Sequence, residues 1–194
     1  TGTLTRGKPT LVRVLPFGLS QEEALRLAAA LERGSEHPLA KAVLEAAESL
    51  PQAQAEEVRA LPGEGVEGRV EGRRLHLGGP ALMERLGVPL PEEAKALPEE
   101  GYTPLYLVEG TRLLAAFAVF DPPRPEAQEA VAALKALGLK LVLLTGDHPA
   151  PARRVAEALG IPEVLAGVRP EGKVEAIRRL QAEGRKVVFV GDGI

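Results

Sequence analysis

From Asp121 onward the chain repeats one pattern: a helical segment that ends at a glycine, followed by a short, near-continuous apolar segment. EAQEAVAALKALG, LKLVLLTGD, APARRVAEALG, EVLAG, EGKVEAIRRLQAEG and KVVFVGDG succeed one another. A strand that is apolar at successive positions has no face to give to water, so helices must cover both sides of its sheet. Strands and helices in strict alternation imply that the sheet is parallel. Open sheets of this kind bind their ligands outside the carboxyl ends of the strands. Thr145-Gly146-Asp147 and Gly191-Asp192-Gly193 stand at two of those ends. Two carboxylates would then face one crevice, and carboxylate, water and phosphate oxygens form the environment that Mg²⁺ prefers, with Lys173 adding a positive charge. Taken alone, each aspartate beside a glycine fits a turn former or a helix cap equally well.

The preceding 120 residues have another texture. Ser20-Gln-Glu-Glu23 is a capping box before ALRLAAALER, which predicts a helix from about Gln21 to Arg33. After the interruption GSEHP, LAKAVLEAAESL continues as a helix to Pro51. From Glu56, VRALPGEGVEGRVEGRRLHLGG alternates apolar residues with turn glycines and predicts an antiparallel meander. Short helices are expected near Ala81–Leu86 and Glu92–Leu97, and TPLYLVEGTRLLAAFAVF reads as a hairpin turning at Glu109-Gly110. An α+β block thus precedes an α/β block.

Two glycine motifs are set aside by context. Gly2 with Gly7-Lys8 fits the spacing of a phosphate-binding P-loop, but Pro9 stands where the Mg²⁺-ligating hydroxyl belongs, and PTLVRVLP reads as a strand rather than a helix. GEGVEG fits a dinucleotide fingerprint but continues as strands, with no helix to receive a pyrophosphate. The net charge of -3, with acids and bases mixed along the chain, and an aromatic content of 3% give nucleic acid neither a basic patch nor stacking platforms. The absence of cysteine excludes disulfides and thiolate metal sites. The longest apolar run, LLAAFAVF, is too short to span a bilayer.

TGTLT at Thr1–Thr5, TGD at Thr145–Asp147, Lys173 within PEGK and the closing GDGI occur in the order of the motifs of P-type ATPases. They resemble the phosphorylation domain of these pumps, which belong to the haloacid dehalogenase-like superfamily. SEHP at Ser35–Pro38 with GEG at Gly63–Gly65 resembles the nucleotide-binding domain of the heavy-metal branch, the copper, zinc and cadmium pumps. The fold this implies is a haloacid dehalogenase-like α/β domain, residues 1–16 and 120–194, into which an α+β antiparallel-sheet nucleotide domain, residues 17–119, is inserted. The family forms an aspartyl phosphate by attack of a carboxylate on the γ-phosphate of ATP and then hydrolyses it. The attacking aspartate of the family lies two positions before Thr1, so a chain with these bounds is expected not to phosphorylate itself. The expected setting is the cytoplasmic side of a membrane, with transmembrane and actuator domains of the same polypeptide as partners and copper as the first expectation for the cargo.

The resemblance also assigns residues. Thr1, through its carbonyl, and Asp192 would join the Mg²⁺ shell. Thr3, Thr145 and Gly146 would hydrogen-bond the transferred phosphoryl group, Lys173 would neutralise it, and Asp147 would orient the nucleotide phosphates. Glu32, His37, Gly63, Gly65 and Gly78 match the adenine-site positions of ATP. His37, before a helix-starting proline, also fits a cap, whereas His76 and His148 are read as structural or exposed. Asp121 and Arg124 of DPPRP resemble the hinge by which the chain returns from the insert, and they equally fit a helix start after two prolines. Where the family usually has Gly-Asn, this chain has Gly78-Gly79, which removes an amide side chain from the adenine site. The competing function is a haloacid dehalogenase-like phosphatase whose insert caps a phosphate ester.

Overall fold

The structure is a computed structural model that describes residues 2–191. The chain divides into two compact units, one of Pro9–Phe120 and one of Thr1–Lys8 with Asp121–Ile194.

The Pro9–Phe120 unit is a six-stranded antiparallel sheet covered on both faces. Its elements are β1 (Thr10–Pro16), α1 (Gln21–Glu32), α2 (Pro38–Ala46), β2 (Ala55–Leu61), β3 (Gly65–Val70), β4 (Arg73–Gly78), α3 (Pro80–Leu86), α4 (Glu92–Lys95), β5 (Thr103–Glu109) and β6 (Arg112–Phe120). The spatial order is β1-β6-β5-β4-β3-β2, so β2 to β6 form a meander of sequential neighbours and β1 closes the far edge against β6. The strand Thr10–Pro16, expected with the α/β block, therefore lies in the antiparallel sheet. Its physical reason is the register Thr10↔Phe120 to Pro16↔Ala115, which pairs the strand entering the unit with the strand leaving it.

Two cores lie on the two faces of this sheet. Leu105, Leu107 and Phe117 point to the side covered by α1 and α2, where Leu27, Leu31, Val43, Leu75 and Leu77 are also buried. Tyr106, Val108, Ala116 and Ala118 point to the other side, against Leu82, Met83, Ala94 and Leu97 of the α3–α4 region. This explains why β5 and β6 lack the alternation of a half-solvated sheet: both of their faces are dry. The Tyr106 hydroxyl, buried in that second core, donates to the carbonyl of Ala94 at 2.9 Å, so its polar end is satisfied. Ser20 caps α1 as its sequence predicts, its Oγ accepting from Glu23 N at 3.1 Å.

The second unit contains α5 (Pro125–Ala136), β7 (Val142–Leu144), α6 (Pro149–Leu159), β8 (Glu163–Leu165) and α7 (Pro170–Ala182). β7 and β8 pair in parallel, Val142↔Glu163 to Leu144↔Leu165, as the alternating pattern predicts. The third expected strand, KVVFVGDG, does not form over its described residues. Val188, Phe189 and Val190 remain 87%, 55% and 73% exposed. β-branched composition favours a strand only where a neighbour supplies hydrogen bonds and packing, and among the described residues no strand pairs with this segment. α7 likewise buries no residue, whereas Ala152, Val155, Ala156 and Leu159 of α6 are buried. No helix among the described residues is long and apolar enough to cross a membrane.

Candidate functional site

In the Pro9–Phe120 unit the glycines expected to line an adenine site come together for a steric reason. Gly65 and Gly78 are direct cross-strand partners at the ends of β3 and β4. A Cβ on Gly65, whose φ is +150°, would fall 2.1 Å from the carbonyl oxygen of Leu77, and one on Gly78 would fall 2.1 Å from that of Glu64. Only hydrogen fits between these backbones. Gly79 N donates to the Glu64 carbonyl at 3.1 Å, and Arg85 of α3 holds the Glu64 carboxylate at 2.7 Å, so the GEG turn is fixed from two sides. Gly63 occupies the same turn with φ +75°.

Helix α1 carries the charged members of the site toward this turn. Arg26, early in α1, pairs with Glu71 at 2.6 Å, beyond the carboxyl end of β3. A full turn later, Leu31 packs over Gly68 in mid-strand. The helix therefore runs antiparallel to β3 and ends toward Gly65, with Glu32 as its last residue. Glu32 is only 9% exposed, and among the described residues no hydrogen bond or ion pair reaches its carboxyl group, whose oxygens keep access to solvent. Burial pushes its pKa up to about 7.

His37 is the N-cap of α2, its Nδ1 accepting from Leu39 N at 3.1 Å. That bond leaves the ring proton on Nε2, a donor on an exposed imidazole. The cap role that its sequence context allows is real, and it orients the ring. His76 is structural: its Nε2 lies 2.9 Å from Glu67 on the neighbouring strand. Against the upward push of burial, Arg59 and His76 hold the Glu67 carboxyl below the usual carboxylate range. His148 is exposed at the N-cap of α6.

In the other unit, Thr145-Gly146-Asp147 follows β7 directly. Thr145 is buried, and its Oγ1 accepts from Asp147 N at 3.1 Å. Gly167 N donates to the Asp147 carbonyl at 2.8 Å and Val168 N to that of Thr145 at 3.0 Å. These two bonds bring the loop after β8 against the loop after β7, and Arg169, the N-cap of α7, follows at once. Lys173 sits in the first turns of α7, so the structure gathers Thr145, Gly146, Asp147 and the helix bearing Lys173 at the carboxyl ends of both parallel strands. Thr1 and Asp192, expected at Mg²⁺, lie outside the described residues, and no group of three or more metal-binding side chains occurs among the described ones.

Thr3 lies in an opening loop held by residues whose part sequence reasoning missed. The Thr5 hydroxyl, buried, donates to Asp121 Oδ2 at 2.7 Å and accepts from Gly2 N at 3.1 Å. Lys8 N donates to the other carboxylate oxygen of Asp121 at 3.1 Å. Arg124 starts α5 as its N-cap and also donates from its guanidinium to the Gly2 carbonyl at 2.8 Å. DPPRP is thus both a helix start and the clamp of the TGTLT loop. The only signal in the sequence was the presence of both motifs, because Thr5 and Asp121 are 116 residues apart.

A family model described as haloacid dehalogenase-like hydrolase matches residues 1–194. The whole chain is 42% identical over 200 residues to Copper-transporting ATPase 1 of Rhizobium meliloti, of which it covers 24%. The chain thus spans about a quarter of the curated relatives it matches. Among solved structures, a zinc-transporting PIB-type ATPase in its E2.Pi state superposes with a TM-score of 0.84 at 39% identity, over 94% of this chain and 30% of that one. The catalytic domain of the CPx-ATPase CopB-B superposes with a TM-score of 0.75 at 26% identity, over all of this chain and 69% of that one.

Proposed function

Since the chain belongs to the haloacid dehalogenase-like hydrolases, we propose that it is the ATP-binding and phosphorylation region of a heavy-metal P-type ATPase, with copper as the transported ion. In this reading the Pro9–Phe120 unit holds the adenine end of ATP at Glu32, His37, Gly63, Gly65 and Gly78. The second unit handles the phosphoryl group through Thr3, Thr145, Gly146, Asp147 and Lys173, with Mg²⁺ held at Thr1 and Asp192. The pump to which it belongs couples ATP hydrolysis to metal export, and this region works on the cytoplasmic side, moved by and moving its transmembrane and actuator domains.

The observation that carries the reading is the Gly65–Gly78 pair, whose backbones come too close for a Cβ, with Glu32 at the end of the helix that runs toward it. A purine needs a close backbone approach and a polar partner for its edge, and these residues supply both. At the other site, a phosphoryl group spreads its charge over three oxygens, which suits hydroxyl and backbone donors beside a lysine.

Calorimetric titration with a non-hydrolysable ATP analogue, beside AMP and a sugar phosphate, tests the reading. Binding of the adenine nucleotides alone, at about -4 to -8 kcal/mol, is expected. Binding of the sugar phosphate without the nucleotides would instead make the protein a phosphatase with a cap. His37→Gln is expected to weaken ATP binding with the fold intact, and unchanged affinity would remove His37 from the site.

A further inference from the structure

Resting on the adenine site proposed above, the turn that carries Gly63 and Gly65 poses a problem of its own. Glycine backbone explores more conformations than any other, so two glycines flanking Glu64 give this turn a freedom that a bound purine would have to remove. Gly63 stands at φ +75° and Gly65 at φ +150°. The segment facing it is no stiffer by itself. Gly78-Gly79 leads into α3, whose N-cap, Gly79, offers no side chain to the helix, and seven residues are too few for a helix to be stable alone.

Glu64 ties the two segments together at both ends of α3. Its N–H donates to the Leu61 carbonyl at 2.9 Å within the turn, and its own carbonyl accepts from Gly79 N at 3.1 Å, where the helix begins. Its carboxylate meets Arg85 from the last turn of the helix: Nε donates to Oε1 at 3.0 Å and to Oε2 at 2.7 Å, and Nη2 lies 2.7 Å from Oε2. Side chains on a helix lean toward its N-terminus, which is how a residue near the end of α3 reaches a turn bound to its start. The neighbouring acid, Glu67, is taken by Arg59 and His76, and among the described residues neither Glu64 nor Arg85 has another ion-pair partner. We propose that Arg85 is a positioning residue of the adenine site: through Glu64 it keeps the GEG turn at its spacing from Gly78, and so sets the affinity for the base without touching it. The two side chains are 51% and 28% exposed, and an ion pair this open to water changes an equilibrium by a factor of about two to five.

The test uses adenosine, which carries no phosphate, so that the charge of Arg85 has no charge on the ligand to act on. Its affinity is measured by NMR titration in the unmodified protein, in Arg85→Met, which keeps the aliphatic stem, in Glu64→Ala, and in the double variant. A loss of about two- to five-fold is expected in each single variant, with no further loss in the double, because either change alone breaks the pair. The urea midpoint should move little, since the backbone bonds of Glu64 and the buried Leu82 and Met83 remain. Unchanged affinity in either single variant, or losses that add in the double, overturns the inference while leaving the nucleotide site standing. Failure of adenosine to bind the unmodified protein, with native tyrosine fluorescence, overturns the site reading and the inference together. Should the variants not fold, salt applied to the unmodified protein decides. Raising it from about 50 mM to about 1 M shortens the screening length to about 3 Å and should weaken adenosine binding through the pair, whereas binding that is unchanged or stronger overturns the inference.

Discussion

The two units solve the same problem, covering a sheet, with opposite completeness. In the Pro9–Phe120 unit every strand of the meander finds its partner next in sequence, and helices close both faces over Phe117, Leu107, Tyr106 and Leu82. In the other unit two three-residue strands pair in parallel, α7 buries nothing, and Leu137, Leu139, Val188 and Val190 face water. Antiparallel pairing needs only tight turns, whereas parallel pairing must close a crossover before each strand is rewarded. The difference locates stability in the first unit and places the loops expected to do chemistry in the second, the region with the smaller core.

The largest expected effect tests whether the two units are separate cores. Phe117→Ala empties the middle of the α1–α2 face, where the ring is fully buried, and should cost about 3–5 kcal/mol. Both tyrosines, Tyr102 and Tyr106, lie in this unit, so tyrosine fluorescence during urea denaturation reports on it alone. Hydrogen exchange over α6 should be unchanged. If protection of α6 falls in step, the two units unfold as one and the contrast between them is false.

Next comes the pH dependence of the Pro9–Phe120 unit. The folded chain holds on Glu32 a proton that the unfolded chain releases between about pH 4.5 and about pH 7. Because the folded state binds more protons in that window, stability falls as pH rises through it, by at most about 1.4 kcal/mol per pH unit from this group. Above the window the loss is complete, and below it Glu32 has no effect. Glu32→Gln should flatten this slope, measured as the urea midpoint against pH. An unaltered slope would show that the carboxyl is solvated or paired in solution.

What the sequence made legible follows the same division. The Ser20 cap, the Glu109-Gly110 hairpin and the GEG meander were readable because each is written in neighbouring residues. The partner of β1 was not, since Thr10 pairs with Phe120 across the whole inserted unit. KVVFV has the composition of a buried strand, but composition cannot name the neighbour that would pair with it. In the site, the spacing of Gly63, Gly65 and Gly78 predicted turns, and only the register revealed that two of them face one another at a separation that excludes a Cβ. Chemistry gave no reason to single out Glu32 within an alanine-rich helix. Its position came from the resemblance alone, and its burial at the end of α1 came from the fold.

A smaller effect is expected in the second unit from Thr5→Val, which keeps the shape and deletes the hydroxyl between Gly2 and Asp121. The loss should be about 1–3 kcal/mol, the cost of leaving part-buried polar groups unmade. Hydrogen exchange of residues 2–8 should quicken, tyrosine fluorescence should stay native, and Thr5→Ser should restore protection. Quickened exchange in the serine variant as well would assign the effect to packing of the Thr5 methyl group rather than to the hydroxyl.

The smallest effect carries the sharpest information about the comparison. Val190→Ser replaces a side chain that is 73% exposed, and an exposed substitution away from caps and turns should change stability by less than about 0.5 kcal/mol. Hydrogen exchange over α6 is the measurement, because α6, with Ala152, Val155, Ala156 and Leu159, buries more described residues than any other element of its unit. A buried valine in a parallel strand would behave otherwise, since its loss removes packing and inserts a hydroxyl into a dry face. A cost of 2 kcal/mol or so would mean that KVVFV does pair beside β7 or β8, that the alternating pattern after Asp121 was right to predict a third strand, and that the second unit closes its sheet in solution as the first one does.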